Sequence, residues 1–298
     1  MLRGKKPEVV VKRLKMFVYG PAGVGKTTAA IQFPNAYIID TERGTDFYSN
    51  TIIKSNSVVF QSNNSSEILE ELKALLTEKH PYKTLIIDPV TQLYNAIQEK
   101  WSRIFEESQK EEKKSETQDF GMRFWGKVKS EMKQIQRILV RLDMNVIMTA
   151  HQKDVYGDNF KKLGVTFDSM KGDDYLFDLI FRLEKRGKER ISKTEKERSE
   201  IGENKFPAEF QWSYENFCKF YGKDILEKES APIALANQEQ VKKLEHLLRV
   251  VKVEDEVIQK WKTKADVDSW VEMTQDQIEK CITFLNNKID SSKQEKVA

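Results

Sequence analysis

Gly20-Pro21-Ala22-Gly23-Val24-Gly25-Lys26-Thr27, followed by Thr28, has the residue types and spacing of a phosphate cradle. Glycines let a backbone turn so that successive N–H groups point inward at phosphate oxygens, and a lysine and a hydroxyl residue complete the set. In that chemistry Lys26 reaches the β- and γ-phosphates of a nucleoside triphosphate and the Thr27 hydroxyl sits on Mg²⁺. An apolar run, Lys15–Tyr19, precedes the motif, and Thr27–Phe33 is expected to open a helix whose positive N-terminus adds to the anion site.

Three further groups could complete a phosphoryl-transfer site. Leu85-Ile86-Ile87-Asp88 is an apolar strand ending in a carboxylate, the Walker B pattern, and Asp88 is expected to hold the metal through water. A second carboxylate is needed to activate the attacking water. Pro89 occupies the position directly after Asp88, so the candidate is Glu42 in Ile38-Ile39-Asp40-Thr41-Glu42, with Asp40 alternatively closing the strand and Glu42 a loop charge. Val146-Ile147-Met148-Thr149-Ala150-His151-Gln152 is a strand ending in polar residues. Gln152 is the expected γ-phosphate sensor, and His151 is expected to be an ordinary strand-end histidine.

The elements that would position these groups follow from the hydrophobic pattern. Lys15–Tyr19, Ala36–Asp40, Thr84–Asp88 and Asn145–Thr149 are short apolar runs suited to buried parallel strands, with a fifth at Leu179–Glu184. Helical stretches at Thr27–Phe33, Ser66–Glu78 and Phe124–Leu142 alternate with them, which predicts a parallel sheet covered on both faces. Phe210–Lys219 reads as an edge strand or hairpin, after a charged segment at Lys185–Lys205. Glu106–Gln118 reads as an exposed helix end or mobile loop, and Lys153–Asp173 as a long functional loop.

The character changes at Ser230. Ala231-Pro232-Ile233-Ala234 reads as a linker, and helices are expected over Asn237–Val251, Glu254–Trp261 and Thr274–Ile289, with Thr274 and Gln277 forming a capping box. The expected division is a nucleotide-binding core over 1–229, a small helical domain over 230–290 and a disordered tail over 291–298.

Composition narrows the classes. The chain has 298 residues, 39% hydrophobic and 33% charged, which supports both a core and a heavily solvated surface. A net charge of +3 is too small to argue nucleic-acid binding by itself. Cys218 and Cys281 are the two cysteines, so neither a disulfide framework nor a zinc site is expected. No signal peptide or 18-residue apolar run is seen, and the expectation is a cytoplasmic protein without a membrane partner.

Taken together, the P-loop, Ala36–Glu42, Thr149–Gln152 and Asp178-Leu179-Ile180-Phe181-Arg182-Leu183-Glu184 resemble the RecA-like ATPase core over roughly residues 10–225. More narrowly, the chain resembles phage-encoded AAA-domain ATPases that accompany single-strand-annealing recombination, which would place it in the host cytoplasm. The resemblance implies ATP and Mg²⁺, a homo-oligomer, and an action on single-stranded DNA, with a single-strand-binding or annealing protein as a possible partner. It implies that Lys153–Asp173 faces the DNA, with Lys153, Lys161, Lys162 and Lys171 for phosphates and Tyr156, Phe160 and Phe167 for base stacking. It also implies a basic finger received from a neighbouring subunit, for which Arg186 and Lys205 are the candidates. The alternatives are an AAA+-type helicase loader or remodeller, against which Pro89 counts, and an ATP-gated adaptor that hydrolyses little.

Overall fold

The computed structural model describes residues 13–111, 117–198 and 204–294. The chain forms two compact units, one of residues 1–73 and 80–231, the other of 74–79 and 232–298.

In the first unit the described strands are β1 (Lys15–Gly20), β2 (Ala36–Asp40), β3 (Val58–Gln61), β4 (Thr84–Asp88), β5 (Asn145–Tyr156), β6 (Lys162–Phe167), β7 (Leu179–Arg186), β8 (Glu189–Glu197) and β9 (Glu209–Gln211). They join in the order β3-β2-β4-β5-β1-β7-β8-β9, with β6 paired to the outer half of β5. From β3 to β7 the pairings are parallel; β8 and β9 add antiparallel. All five residues of β4 are buried, as expected of a parallel strand covered on both faces.

The helices are α1 (Lys26–Ala30), α2 (Ser49–Lys54), α3 (Ser65–Thr77), α4 (Val90–Glu111), α5 (Thr117–Arg141), α6 (Asp173–Leu176), α7 (Tyr214–Tyr221) and α8 (Lys223–Leu226). Met16, Val18, Ile38, Ile86 and Ile147 pack on one face of the sheet with Ala29 and Ala30 of α1 and Phe217 and Tyr221 of α7. The alternate residues Phe17, Leu85, Ile87 and Met148 point the other way, and are also buried. There α4 contributes Val90, Leu93 and Ile97, and α5 contributes Val128, Met132 and Ile135, the stripe expected of helical periodicity. Each such fully buried side chain contributes about 1.5–3 kcal/mol relative to exposure. The last turn of α5 is closed from outside: Lys15 Nζ donates to the carbonyls of Leu139, Leu142 and Met144 at 2.7, 3.2 and 3.1 Å. Burial pushes this ammonium down to about 7.

The second unit contains α9 (Gln238–Val251), α10 (Asp255–Ala265) and α11 (Gln275–Gln294). Asn237 caps α9 in a reciprocal box with Gln240, and Thr274 and Gln277 exchange the same pair of bonds at the start of α11. Leu244, Leu247 and Leu248 pack with Val267, Trp270, Met273, Ile278, Ile282 and Leu285.

Several elements differ from the sequence-based expectation. The helix after the P-loop is only five residues long, because Pro34 disfavours helical backbone at Phe33. The N-terminus of so short a helix adds little to the anion site. Phe210–Lys219 is not one strand: β9 stops at Gln211, and the Ser213 side chain accepts from the Asn216 N–H at 3.0 Å to start α7. Much of the charged segment Lys185–Lys205 is β8, held to β7 by an antiparallel ladder with one irregularity between Ile180 and Phe181. Lys153–Asp173 is not a loop but mainly a β-hairpin, made by the outer half of β5 and by β6. Glu106–Glu111 ends α4, and residues 112–116 lie outside the described residues. The tail expected from 291 is helical as far as Gln294, since α11 continues its pattern past Ile289; residues 295–298 lie outside the described residues.

Candidate functional site

The register of the parallel strands brings the candidate residues to one edge of the sheet. Gly20 at the end of β1 pairs with His151 of β5, and Asp40 of β2 pairs with Asp88 of β4. The carboxyl ends of strands are where doubly wound sheets bind ligands. There a cleft of about 500 Å³ opens, lined by the P-loop residues Ala22, Gly23, Gly25, Lys26, Thr27 and Thr28 together with Glu42, Asp88, His151 and Gln152.

Pro21 and Ala22 form the exposed outer turn of the P-loop, while Val24 is buried and anchors it. Gly25 has φ +98°, a conformation that side chains rarely adopt. Gly20 is required for a different reason: a Cβ there would lie 2.7 Å from the Leu183 carbonyl oxygen. Lys26 Nζ lies inside the loop, donating to the carbonyls of Gly20 and Pro21 at 3.0 and 3.1 Å. Burial lowers its pKa, while the charges of Asp88 and Glu42 oppose that shift.

Asp88 is buried, and desolvation raises its pKa against the hydrogen bonds it accepts from Thr149 and Thr27. A desolvated carboxylate beside a threonine hydroxyl is a hard-oxygen donor pair of the kind that Mg²⁺ takes alongside phosphate oxygens and water. Thr27 and Asp88 therefore fit the ion that the sequence implies.

Asp40 has a structural task. Its carboxylate, 1% exposed, accepts from the N–H groups of Glu42, Gly44 and Thr45 at 3.2, 3.1 and 2.9 Å and from Thr45 Oγ1 at 2.5 Å. These four bonds fold the loop after β2 and set Glu42 at the cleft. His151 Nε2 lies 3.3 Å from Glu42 Oε2, within ion-pair distance. The histidine is thus more than a strand end: its side chain holds the carboxylate, while Gln152 lines the same cleft. The backbone of His151 is fixed as well. Its N–H donates to Thr91 Oγ1 at 2.9 Å, its carbonyl accepts from the Asp168 N–H at 2.8 Å, and Thr91 Oγ1 donates to the Asp168 carbonyl at 2.7 Å.

The hairpin β5–β6 grows directly out of this edge. Tyr156, Phe160 and Leu163 are exposed, and Phe160, with φ +56°, is 92% exposed. Lys161 and Lys171 are exposed too. Lys153 is paired with Asp168 at 3.0 Å and Lys162 with Asp154 at 2.7 Å. Phe167 does not belong with the exposed aromatics. Its ring packs 4.6 Å from Phe17 and 5.8 Å from Tyr19, because the β5–β6 register turns it inward as an anchor of the hairpin base.

The two finger candidates lie apart from the cleft lining. Arg186 donates to both carboxylate oxygens of Glu209 at 2.8 and 3.0 Å and to Glu184 at 3.3 Å, and Lys205 is exposed beside residues 199–203, which lie outside the described residues. The arginine that does line the cleft is Arg190, near the start of β8. In the sequence it is one cation among many in a charged stretch, and only the pairing of β8 with β7 brings it to the P-loop.

Among the described residues, no helix is long and apolar enough to cross a membrane. The family described as "AAA domain" matches residues 12–206. No curated protein matches the chain. A solved structure described as "Crystal structure of the RadB recombinase" is similar at 18% identity and a TM-score of 0.38, over 62% of this chain and 81% of that chain.

Proposed function

The chain belongs to the AAA domain family, and from the cleft within the matched span we propose that it binds ATP with Mg²⁺, hydrolyses it, and acts on single-stranded DNA through the β5–β6 hairpin. One observation carries the ATPase reading: Lys26, Thr27, Glu42 and Asp88 come from three separate strand ends and line a single cleft. Lys26 and the P-loop N–H groups would bind the phosphates. Thr27 and Asp88 would hold Mg²⁺, which supplies charge neutralisation on the phosphate oxygens. Glu42, steadied by His151, would take the proton of the attacking water as its oxygen bonds to the γ-phosphorus. The bond from that phosphorus to the bridging oxygen breaks, and ADP leaves. Gln152, which lines the same cleft, would register the γ-phosphate.

The DNA reading rests on the exposed rings of Tyr156 and Phe160 beside Lys161 at the far end of the hairpin. Aromatic faces next to cations suit sequence-tolerant single-strand binding, each stack contributing about 1–3 kcal/mol. The test is phosphate release from ATP by the wild type and by Glu42→Gln, each with and without single-stranded DNA. The wild type should turn over faster with DNA, and Glu42→Gln should bind ATP but lose about 10²-fold or more in turnover. Undiminished turnover in the variant would remove Glu42 from the mechanism, and indifference to DNA would remove the DNA reading.

A further inference from the structure

We propose that Arg190 is a phosphate-binding residue supplied in cis, engaging the polyphosphate tail of the nucleotide from within the same subunit. The inference rests on the nucleotide-site reading above and names a cation that reading does not include.

Position comes first. Arg190 lines the cleft together with Gly23, Gly25, Lys26 and Thr27. It packs directly on the P-loop: a Cβ on Gly25 would collide with its guanidinium, lying 2.9 Å from Cζ. The backbone from which the side chain extends is fixed, because the Arg190 carbonyl accepts from the Trp212 N–H at 2.8 Å and Arg190 pairs with Lys185 across the β7–β8 ladder.

Charge comes second. Three other cations of this hairpin are held by carboxylates. Arg182 pairs with Glu184 and Glu195, Arg186 with Glu184 and Glu209, and Lys193 with Glu184 and Glu209. Arg190 has no carboxylate partner among the described residues, and its Nε is buried without a hydrogen-bond partner. A buried, unpaired guanidinium nitrogen is costly unless something anionic completes it. A planar fork of donors facing a phosphate cradle is matched by phosphate oxygens, which it can take in pairs. Arg186 and Lys205 are then not needed as fingers, because each subunit carries its own.

The experiment measures displacement of a fluorescent nucleotide by ATP, ADP and AMP, with Mg²⁺, for the wild type, Arg190→Ala, Arg190→Lys and Lys26→Ala. Arg190→Ala should weaken ATP by about 10- to 100-fold, the scale of one charge-assisted contact, and AMP far less. Arg190→Lys should recover part of the loss. Phosphate release from an equimolar mixture of Arg190→Ala and Lys26→Ala should equal the average of the two alone, since an arginine acting in cis cannot be lent to a neighbour. Equal weakening of ATP, ADP and AMP, or a gain in the mixture, would overturn the proposal. So would an unaffected Arg190→Ala alongside a disabled Lys26→Ala, which leaves the nucleotide site itself standing. If neither variant loses affinity, the nucleotide-site reading fails with it. Thermal melts of each variant separate a merely structural role, which would lower the melting temperature and weaken all three nucleotides alike.

Discussion

Replacing Asp40 by alanine tests whether the loop after β2 is what presents Glu42. The carboxylate accepts four hydrogen bonds, from the N–H groups of Glu42, Gly44 and Thr45 and from the Thr45 hydroxyl. Glu42 is exposed and Gly44 half-buried, so water can replace the bonds to their N–H groups, whereas Thr45 is 2% exposed and cannot be reached in place. Two buried donors are therefore stranded, at about 1–3 kcal/mol each, for a predicted loss of about 2–6 kcal/mol. Asp40→Asn should cost less, about 1–3 kcal/mol, because one oxygen still serves Glu42 and Gly44 while the amide opposes the Thr45 N–H. Urea unfolding gives the stability change. The same variants, assayed by nucleotide displacement and phosphate release, should keep most ATP affinity and lose turnover, since the P-loop is untouched while Glu42 is set loose. An Asp40→Ala chain as stable as the wild type, with unchanged turnover, would refute the assignment.

Lys26→Ala should abolish measurable ATP binding in a fluorescent-nucleotide titration while the melting temperature holds, because the ammonium contacts only P-loop carbonyls. Replacing Tyr156 and Phe160 together by alanine should weaken single-stranded DNA binding by about 2–6 kcal/mol, read by fluorescence anisotropy, and leave DNA-free ATP turnover unchanged. Lys15→Met should flatten the pH dependence of stability. With the folded pKa near 7 and the ordinary value 10.5, the unfolded chain holds the extra proton between them. Wild-type stability should therefore rise from pH 7 to pH 9 by about 2 kcal/mol and level off below pH 7, where both states hold the proton, while the methionine variant lacks that rise in denaturant titrations at the two pH values.

What the sequence makes legible here is whatever burial makes periodic. Lys15–Gly20, Ala36–Asp40 and Thr84–Asp88 are apolar on both faces, so their positions and their terminal carboxylates can be read directly. The four-residue β3 hides because Val58 and Val59 stay partly exposed at the sheet edge. α4 was obscured at both ends, starting straight after Pro89 and finishing in the charged run from Glu106. The hairpin looks like a loop because cross-strand hydrogen bonds and ion pairs, rather than buried side chains, hold its outer part. Arg190 is the plainest case. Nothing in Lys188-Glu189-Arg190-Ile191 separates it from its neighbours until the β7–β8 register sets it over Gly25.

The length of β5 has a mechanical meaning. One unbroken strand runs from Thr149, bonded to Asp88, past His151 at the cleft, to Tyr156 near the far end of the hairpin. At about 3.3 Å per residue the span from Thr149 to Tyr156 is roughly 23 Å. Its inner end is clamped between β1 and β4, and its outer end pairs, among the described strands, with β6 alone. Such a strand is a lever with its fulcrum at the nucleotide edge. A tilt of about 5° at His151 would carry Tyr156, roughly 17 Å away, through about 1.4 Å, with no flexible joint before the irregularity at Val155 to absorb it.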